Sequence, residues 1–363
     1  MSRGLDQALL LALVSLLGLG IVQVYSSSYI FAAEMYRDGL HFVLKQSIAM
    51  SIGLLVLGVA ALMPWRYWNK ILVGLWGLGV LALLFTFVPG IGVKVGGARR
   101  WIDLHFIRFE PSELIKILVP WAFSYIYAHW QEDEHWSRRR SAWLLWLSPL
   151  GLLLLQPDFG SFALIIFVVL LLLFAIGFSW KHFALMAGII IPLFSVLIIK
   201  YPYRLARVVA FMNPWADPAN SGFQLIQSLL SVRNGGFWGQ GLGAGQGKLF
   251  FLPEAHTDFT LAVFAEETGF LGIAILFLIY GFVFLRSLQI ALAIQDIQNR
   301  LIVLGITFLF GLNSLFNMAV VLGMLPTKGL TLPFLSYGGS SLLCYCLAFG
   351  WILNLGRQAA TAQ

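Results

Sequence analysis

Asp258 closes the stretch Leu252-Pro253-Glu254-Ala255-His256-Thr257-Asp258 and stands directly before a long apolar run that begins at Phe259. A carboxylate at such a boundary loses hydration, so its pKa rises and it becomes a better general base. The alternative is local: Thr257 or Asp258 can cap the helix that the apolar run forms, because a short polar side chain satisfies the orphan amides of a first turn. His256 has the type of a metal ligand or proton carrier, although a lone histidine is more often structural.

Other stretches carry similar weight. Glu113 and Lys116 lie three apart where an apolar run begins, on one helix face, which reads as a buried ion pair or as part of a substrate site. Just before them, Gly97-Ala98-Arg99-Arg100-Trp101 sets two cations beside an aromatic ring. Guanidinium groups suit bidentate phosphate binding, and Arg with Trp also anchors proteins at membrane interfaces. Gln156-Pro157-Asp158-Phe159-Gly160 breaks the chain between two apolar runs; proline ends one helix and Asp158 can begin the next. Arg204 and Arg207, three apart, suit a basic interfacial helix facing headgroups. The run from Gly235 to Lys248 is glycine-rich but fails as a nucleotide loop: Gly239, Gly241 and Ala244 match a dinucleotide fingerprint loosely, and Gly247-Lys248 lacks the Ser or Thr that should follow. A flexible loop that approaches a ligand closely is the better reading, with Lys248 at its end. Finally, Leu325 to Ser341, holding Lys328 and Ser336, contains prolines and glycines that exclude a regular helix and imply a shaped, partly buried loop.

These residues must be positioned by a membrane-embedded frame. Of 363 residues, 60% are hydrophobic and 11% charged, and the mean hydropathy is +0.86, whereas soluble domains carry about 25% charged residues. The sequence predicts an all-α integral membrane protein with about ten transmembrane helices, at roughly 7–26, 46–63, 71–89, 112–128, 142–156, 160–178, 183–199, 259–285, 301–322 and 341–355. The first run is too long for a signal-peptide core. The fifth and tenth are short. One polytopic domain, 1–363, is the simplest division, with a large loop, 200–258, between helices 7 and 8. An even number of spans puts both termini on one side. With the termini inside, Lys and Arg number ten inside and twelve outside; setting aside the five in the long loop leaves ten against seven, which favours cytoplasmic termini. So many outer cations, and a net charge of +7, imply an anionic partner or anionic lipid there. Cys344 and Cys346 point apart on a helix and read as core residues, not a disulfide.

Taken together, these motifs from Gly97 to Ser341 resemble the SEDS family (shape, elongation, division and sporulation proteins). Leu-Pro-Glu-Ala-His-Thr-Asp at 252–258, Trp-Gly-Gln-Gly-Leu-Gly at 238–243 and Pro-Thr-Lys-Gly-Leu-Thr-Leu-Pro at 326–333 are more similar to its division branch than to its elongation branch. The resemblance implies a ten-span peptidoglycan glycosyltransferase that polymerises lipid II at the outer face of the bacterial cytoplasmic membrane, at the division septum. It gives Asp258 the position of the essential aspartate and functional weight to Glu113, Lys116 and Asp158. The expected chemistry is attack of the acceptor 4-hydroxyl on the donor's anomeric carbon with inversion, Asp258 taking the proton and undecaprenyl pyrophosphate leaving. Arg99, Arg100, Trp101, Lys116, Arg204, Arg207, Lys248, Lys328 and Ser336 complete the expected substrate site, with a divalent cation, Mg or Mn, as a further source of charge. The implied partners are a class B penicillin-binding protein and other division proteins of the membrane; no nucleic-acid role is expected. Competing readings are a flippase for the lipid-linked precursor and a non-catalytic scaffold for a transpeptidase. Glu110 departs from the family pattern, in which Gln often precedes Pro-Ser-Glu, and the terminal tails are short.

Overall fold

The computed structural model describes residues 4–95, 98–103, 108–132, 140–247, 252–327 and 329–362. Its helices are α1 (Gln7–Tyr36), α2 (His41–Leu62), α3 (Trp65–Phe85), α4 (Pro111–Glu132), α5 (Arg140–Leu155), α6 (Phe159–Ala175), α7 (Trp180–Ile199), α8 (Pro202–Met212), α9 (Phe223–Gly235), α10 (Thr260–Ala293), α11 (Ile297–Val321) and α12 (Gly339–Ala362). Seven of them, α1, α2, α3, α7, α10, α11 and α12, are long and apolar enough to cross a membrane. With α4, α5 and α6 they make the ten predicted spans, and α8 and α9 belong to the long loop between α7 and α10.

α4, α11 and α12 form the centre. Nearly every residue of α4 from Pro111 to Ser124 is buried, and Trp121, Trp351, Tyr345 and Phe310 fill the space between these helices. α1, α2, α3 and α7 lie outside and expose large apolar side chains such as Leu11, Leu55, Leu78 and Ile189, as lipid-facing surfaces do. Asp6 at the start of α1 pairs with Arg286 late in α10 at 2.8 Å, which marks the end that carries the termini. A cavity of about 290 Å³ lies there, lined by Gly4, Asp6, Arg286 and Gly356. Every predicted site residue among the described residues lies toward the other end.

Three features differ from expectation. Between α3 and α4 the chain forms a small antiparallel sheet, β1 (Gly92–Val95), β2 (Ala98–Asp103) and β3 (Arg108–Phe109), in the order β1-β2-β3. α1 runs on to Tyr36, past the polar run Ser26-Ser27-Ser28, because Ser27 and Ser28 donate back to the Gln23 and Val24 carbonyls at 2.8 and 2.6 Å and so hide their hydroxyls inside the helix. The tenth span is a full 24 residues rather than a short one.

α10 is broken at Gly269, whose φ of 65° and ψ of −165° are not helical. A break frees carbonyls and amides that lipid cannot satisfy. Here the glycine-rich segment supplies the partners. Gln240 and Gly241 amides donate to the Glu266 and Glu267 carbonyls at 3.0 Å each, while the Phe270 and Leu271 amides donate to the Gly236 and Phe237 carbonyls at 2.9 and 3.2 Å. Gly247 N–H donates to the buried Glu266 carboxylate at 2.9 Å, and Ser26 Oγ donates to Glu267 Oε1 at 2.5 Å. The glycines are therefore a backbone splint around the break, not a slack tether.

Gly239, at φ 78°, approaches so closely that an added Cβ would lie 2.2 Å from the Glu267 carbonyl oxygen. Gly239→Ala is expected to lower stability by about 2 kcal/mol or more, since the strained backbone alone costs on the order of 1–3 kcal/mol, whereas Gly18→Ala, with nothing within 4 Å of the added Cβ, stays near wild type. Thermal unfolding in detergent checks both; equal midpoints would remove the splint.

Candidate functional site

The end of the bundle opposite the termini carries the charged groups. Glu254, with φ 55°, starts the turn that ends in Asp258: its carbonyl accepts from Thr257 and Phe259 amides at 3.1 and 3.2 Å. The helix that follows has Phe259 at its N-cap and no side-chain cap, so neither Thr257 nor Asp258 caps it. The Asp258 carboxylate has no hydrogen bond among the described residues. It lies against Gly329, where an added Cβ would meet Oδ2 at 3.4 Å. Burial, and next the charge of Glu254, push its pKa up to about 7, opposed by Arg207 and Arg100. His256 is structural: its ring packs on Phe42 and Phe31 at 4.7 and 5.3 Å, its carbonyl accepts from Tyr337 N–H at 2.9 Å, and burial lowers its pKa, so it stays neutral.

Arg100 is brought to this end by β2. Strand alternation turns Arg99 out, where it is exposed, and Arg100 in. Arg100 Nη2 donates to the Pro157 carbonyl at 2.7 Å and Nη1 stands 4.0 Å from Asp158 Oδ1, while its Nε is buried without a partner among the described residues. Asp158 caps α6, accepting from Ser161 N–H at 3.3 Å, and its Oδ2 is buried with no hydrogen-bond partner among the described residues. The capping reading of Asp158 and its place beside a cation therefore hold together. Trp101, half-buried, follows on the same strand, paired in register with Val93.

Lys116 and Glu113 form an ion pair of 2.6 Å within α4, both buried. Glu110, at the foot of the same helix, is held by its amide, which donates to Ser340 Oγ at 3.0 Å, and by Ser112 Oγ, which donates to its Oε1 at 3.1 Å. Burial, then repulsion from Glu113 and Asp158, raises the Glu110 pKa to about 8 against the attraction of Lys116 and Arg100. Three carboxylates facing two cations leave one negative charge in excess, and Glu110 is the group that keeps its proton at neutral pH.

The two arginines of α8 part company. Arg207 is exposed and donates to the Thr327 carbonyl at 3.2 Å, close enough to act on Asp258. Arg204 does not face headgroups as expected: it is buried, donates to the Leu197 carbonyl and Tyr203 hydroxyl at 3.1 and 2.8 Å, and lies over the rings of Tyr201 and Phe159 at 4.4 and 5.0 Å. Desolvated cation–π contact explains the inward turn. Ser336 is likewise turned inward, its hydroxyl accepting from Leu332 N–H at 3.1 Å. Lys248 and Lys328 lie outside the described residues. Among the described residues no group of three or more His, Cys, Asp or Glu side chains is arranged to hold a metal ion.

Sequence reasoning passed over Glu266, Glu267 and the buried amides Gln46, Asn313 and Asn317. Each is a polar residue inside or beside an apolar run, which was the available signal. Gln156 donates to Leu83 O and Thr86 Oγ1 at 3.1 and 2.6 Å, and Gln46 holds Ser336 and Gly338 by hydrogen bonds of 3.4 Å.

Comparison with known proteins gives one answer. A chain named probable peptidoglycan glycosyltransferase FtsW from Geobacter sp. (strain M18) is 40% identical over 360 residues, covering 98% of both chains. Its namesake from Trichlorobacter lovleyi is 42% identical over 358 residues, covering 96% of this chain and 92% of that one. A solved structure described as structural coordination of polymerization and crosslinking by a peptidoglycan synthase complex superposes with a TM-score of 0.76 at 30% identity, covering 98% of both chains. The Thermus thermophilus rod shape determining protein RodA superposes with a TM-score of 0.68 at 27% identity, covering 98% of this chain and 97% of that one. The family model FTSW_RODA_SPOVE, described as cell cycle protein, matches residues 7–361, and the chain belongs to that family, the one its motifs resemble.

Proposed function

We propose that this chain is a peptidoglycan glycosyltransferase of the division type, an integral membrane enzyme that polymerises lipid II, with Asp258 as its general base. The observation that carries the reading is the state of Asp258: a carboxylate without a hydrogen bond among the described residues, half-buried, raised to about 7 and under the electrostatic influence of Arg207 and Arg100. A base poised near the working pH is what proton abstraction from a sugar hydroxyl requires.

The acceptor's 4-hydroxyl gives its proton to the Asp258 carboxylate as its oxygen bonds to the donor's anomeric carbon. The bond from that carbon to the diphosphate oxygen breaks, and undecaprenyl pyrophosphate leaves with the electron pair. Inversion needs no covalent intermediate, so one carboxylate is enough. The leaving diphosphate needs charge stabilisation rather than a proton. Arg100 and Arg207 are the described cations nearest Asp258 by their effect on it, and neutral Glu110 spares the anion a further negative neighbour. A divalent cation bound with the diphosphate would supply further positive charge to the leaving group. The termini are then cytoplasmic and the site extracytoplasmic, at the septum. The solved relative belongs to a peptidoglycan synthase complex that coordinates polymerization and crosslinking, which supports a crosslinking partner for this chain; we infer a class B penicillin-binding protein in that role.

Asp258→Asn is expected to lower lipid II polymerisation about 10²-fold or more, the scale of a lost general base, measured on protein purified with its transpeptidase partner. Wild-type yield from the variant, or protein-dependent lipid II flipping with no polymer from wild type, contradicts the reading.

The wild-type rate should rise as pH passes about 7 and fall as Glu110 loses its proton near 8. Glu110→Gln keeps the activity and removes the alkaline fall. An alkaline limb unchanged in Glu110→Gln assigns it to another group.

A raised carboxylate pKa means that the folded state holds a proton the unfolded chain releases, so stability present at acid pH is lost as pH rises through the folded value. Asp258→Asn should therefore unfold at a higher temperature than wild type above pH 7 and at the same temperature below about pH 4, near the ordinary aspartate pKa. Parallel midpoints across that range would show that Asp258 carries no buried-charge cost.

A further inference from the structure

α11 is buried along most of its length, yet it carries two asparagines one turn apart on its inner side, Asn313 and Asn317. A buried amide without a task costs on the order of 1–3 kcal/mol, so each is informative. Asn313 Nδ2 donates to the Thr331 carbonyl at 3.3 Å and to Tyr345 Oη at 3.0 Å. Asn317 does something more specific. Its Nδ2 donates both hydrogens to backbone carbonyls of two separate loops: Asp258 at 2.9 Å and Leu330 at 2.6 Å.

An amide nitrogen is the neutral group that can bridge two carbonyls in this way, with two donors on one atom and no charge to desolvate. The bridge also fixes what lies beside it. Gly329 directly precedes Leu330, and it is Gly329 that the Asp258 carboxylate rests against. Holding the two carbonyls on one nitrogen thus sets the distance between the carboxylate and the loop that covers it. A second tie, Tyr337 N–H to the His256 carbonyl at 2.9 Å, joins the same two loops further from the carboxylate.

We propose that Asn317 is a positioning residue for Asp258, clamping the turn that ends in Asp258 to the loop at Gly329 and Leu330 so that the carboxylate stays aimed and partly dehydrated. The role rests on the reading of Asp258 as the base. Asn317 touches no substrate; it acts through the backbone of the residue that does.

The clamp predicts a signature that general destabilisation does not produce. Without it, water reaches the carboxylate, the Asp258 pKa falls toward the ordinary aspartate value, and the acid-side inflection of the rate moves down from about 7. In full-length protein reconstituted with its transpeptidase partner, with lipid II as substrate, Asn317→Ala should lower kcat by roughly 10- to 100-fold, as small misplacements of reacting groups do. KM should change by less than about threefold, since uniform binding is untouched, and the inflection should shift acidward. Asn317→Leu keeps the side-chain volume while removing both donors, and should show the same pattern if the alanine variant folds poorly. Asn313→Ala, which loosens the neighbouring loop contact without touching Asp258, should keep the wild-type inflection.

An Asn317 variant whose inflection stays at the wild-type pH, with activity falling only as the folded fraction falls, overturns the positioning role. Asp258→Asn in the same assay separates the two claims. If it is inactive while Asn317→Leu keeps the wild-type rate and inflection, the clamp alone fails; if it polymerises normally, the reading of Asp258 fails and the clamp with it.

Discussion

A membrane gives the backbone no partners, so every place where this chain abandons helix inside the bundle must find its hydrogen bonds within the protein. That constraint explains the positions of the residues that matter. The chain breaks at Gly269 in α10, at Pro157 between α5 and α6, and through the loop from Leu325 to Gly338. Each break is answered. The glycine-rich segment splints the first, Gln156 braces the second against α3 through Leu83 and Thr86, and Gln46, Asn313 and Asn317 hold the third. These are side chains that donate two hydrogens without carrying charge, the least costly way to pair carbonyls where water is scarce.

The site is a by-product of those repairs. Irregular backbone lets chain segments from distant parts of the sequence converge: β2 delivers Arg100, the α5–α6 break delivers Asp158, the loop after α11 delivers Gly329, and the turn before α10 delivers Asp258. Arg100 joins the two halves, since its charge acts on both Glu110 and Asp258. On one side stands an ion-paired cluster with an excess carboxylate that keeps its proton; on the other, Asp258 near its titration point. One carboxyl group held neutral and another near its titration point, both under the influence of the same guanidinium, form a chemically asymmetric surface.

Much of this was legible in the sequence because lipid enforces simple rules. Ten apolar runs became ten spans, Pro157 and Asp158 read as a helix break and cap, and Asp258 stood out as a carboxylate at an apolar boundary. What stayed hidden depends on contacts between segments far apart in the chain. The sheet at 92–109 is too short and too rich in cations to show alternation. The serines at 26–28 looked like the end of a helix because back-bonding to carbonyls leaves no trace in composition. The glycines at 235–247 announced close approach, yet the object approached is the protein's own backbone at Glu266 and Glu267. Arg204 and Arg207 share spacing and type, and only the rings of Tyr201 and Phe159 decide that the first turns inward.

The claim that broken backbone is satisfied internally is open to direct measurement. Amide hydrogen exchange, followed by mass spectrometry on the protein in lipid nanodiscs, reports Gln240, Gly241, Phe270 and Leu271, the four amides that bridge the splint and the break. The account predicts that they exchange as slowly as amides in the middle of α11, despite lying in a glycine-rich loop and at a kink. Exchange at the rate of an exposed loop, with α11 still protected, would contradict it.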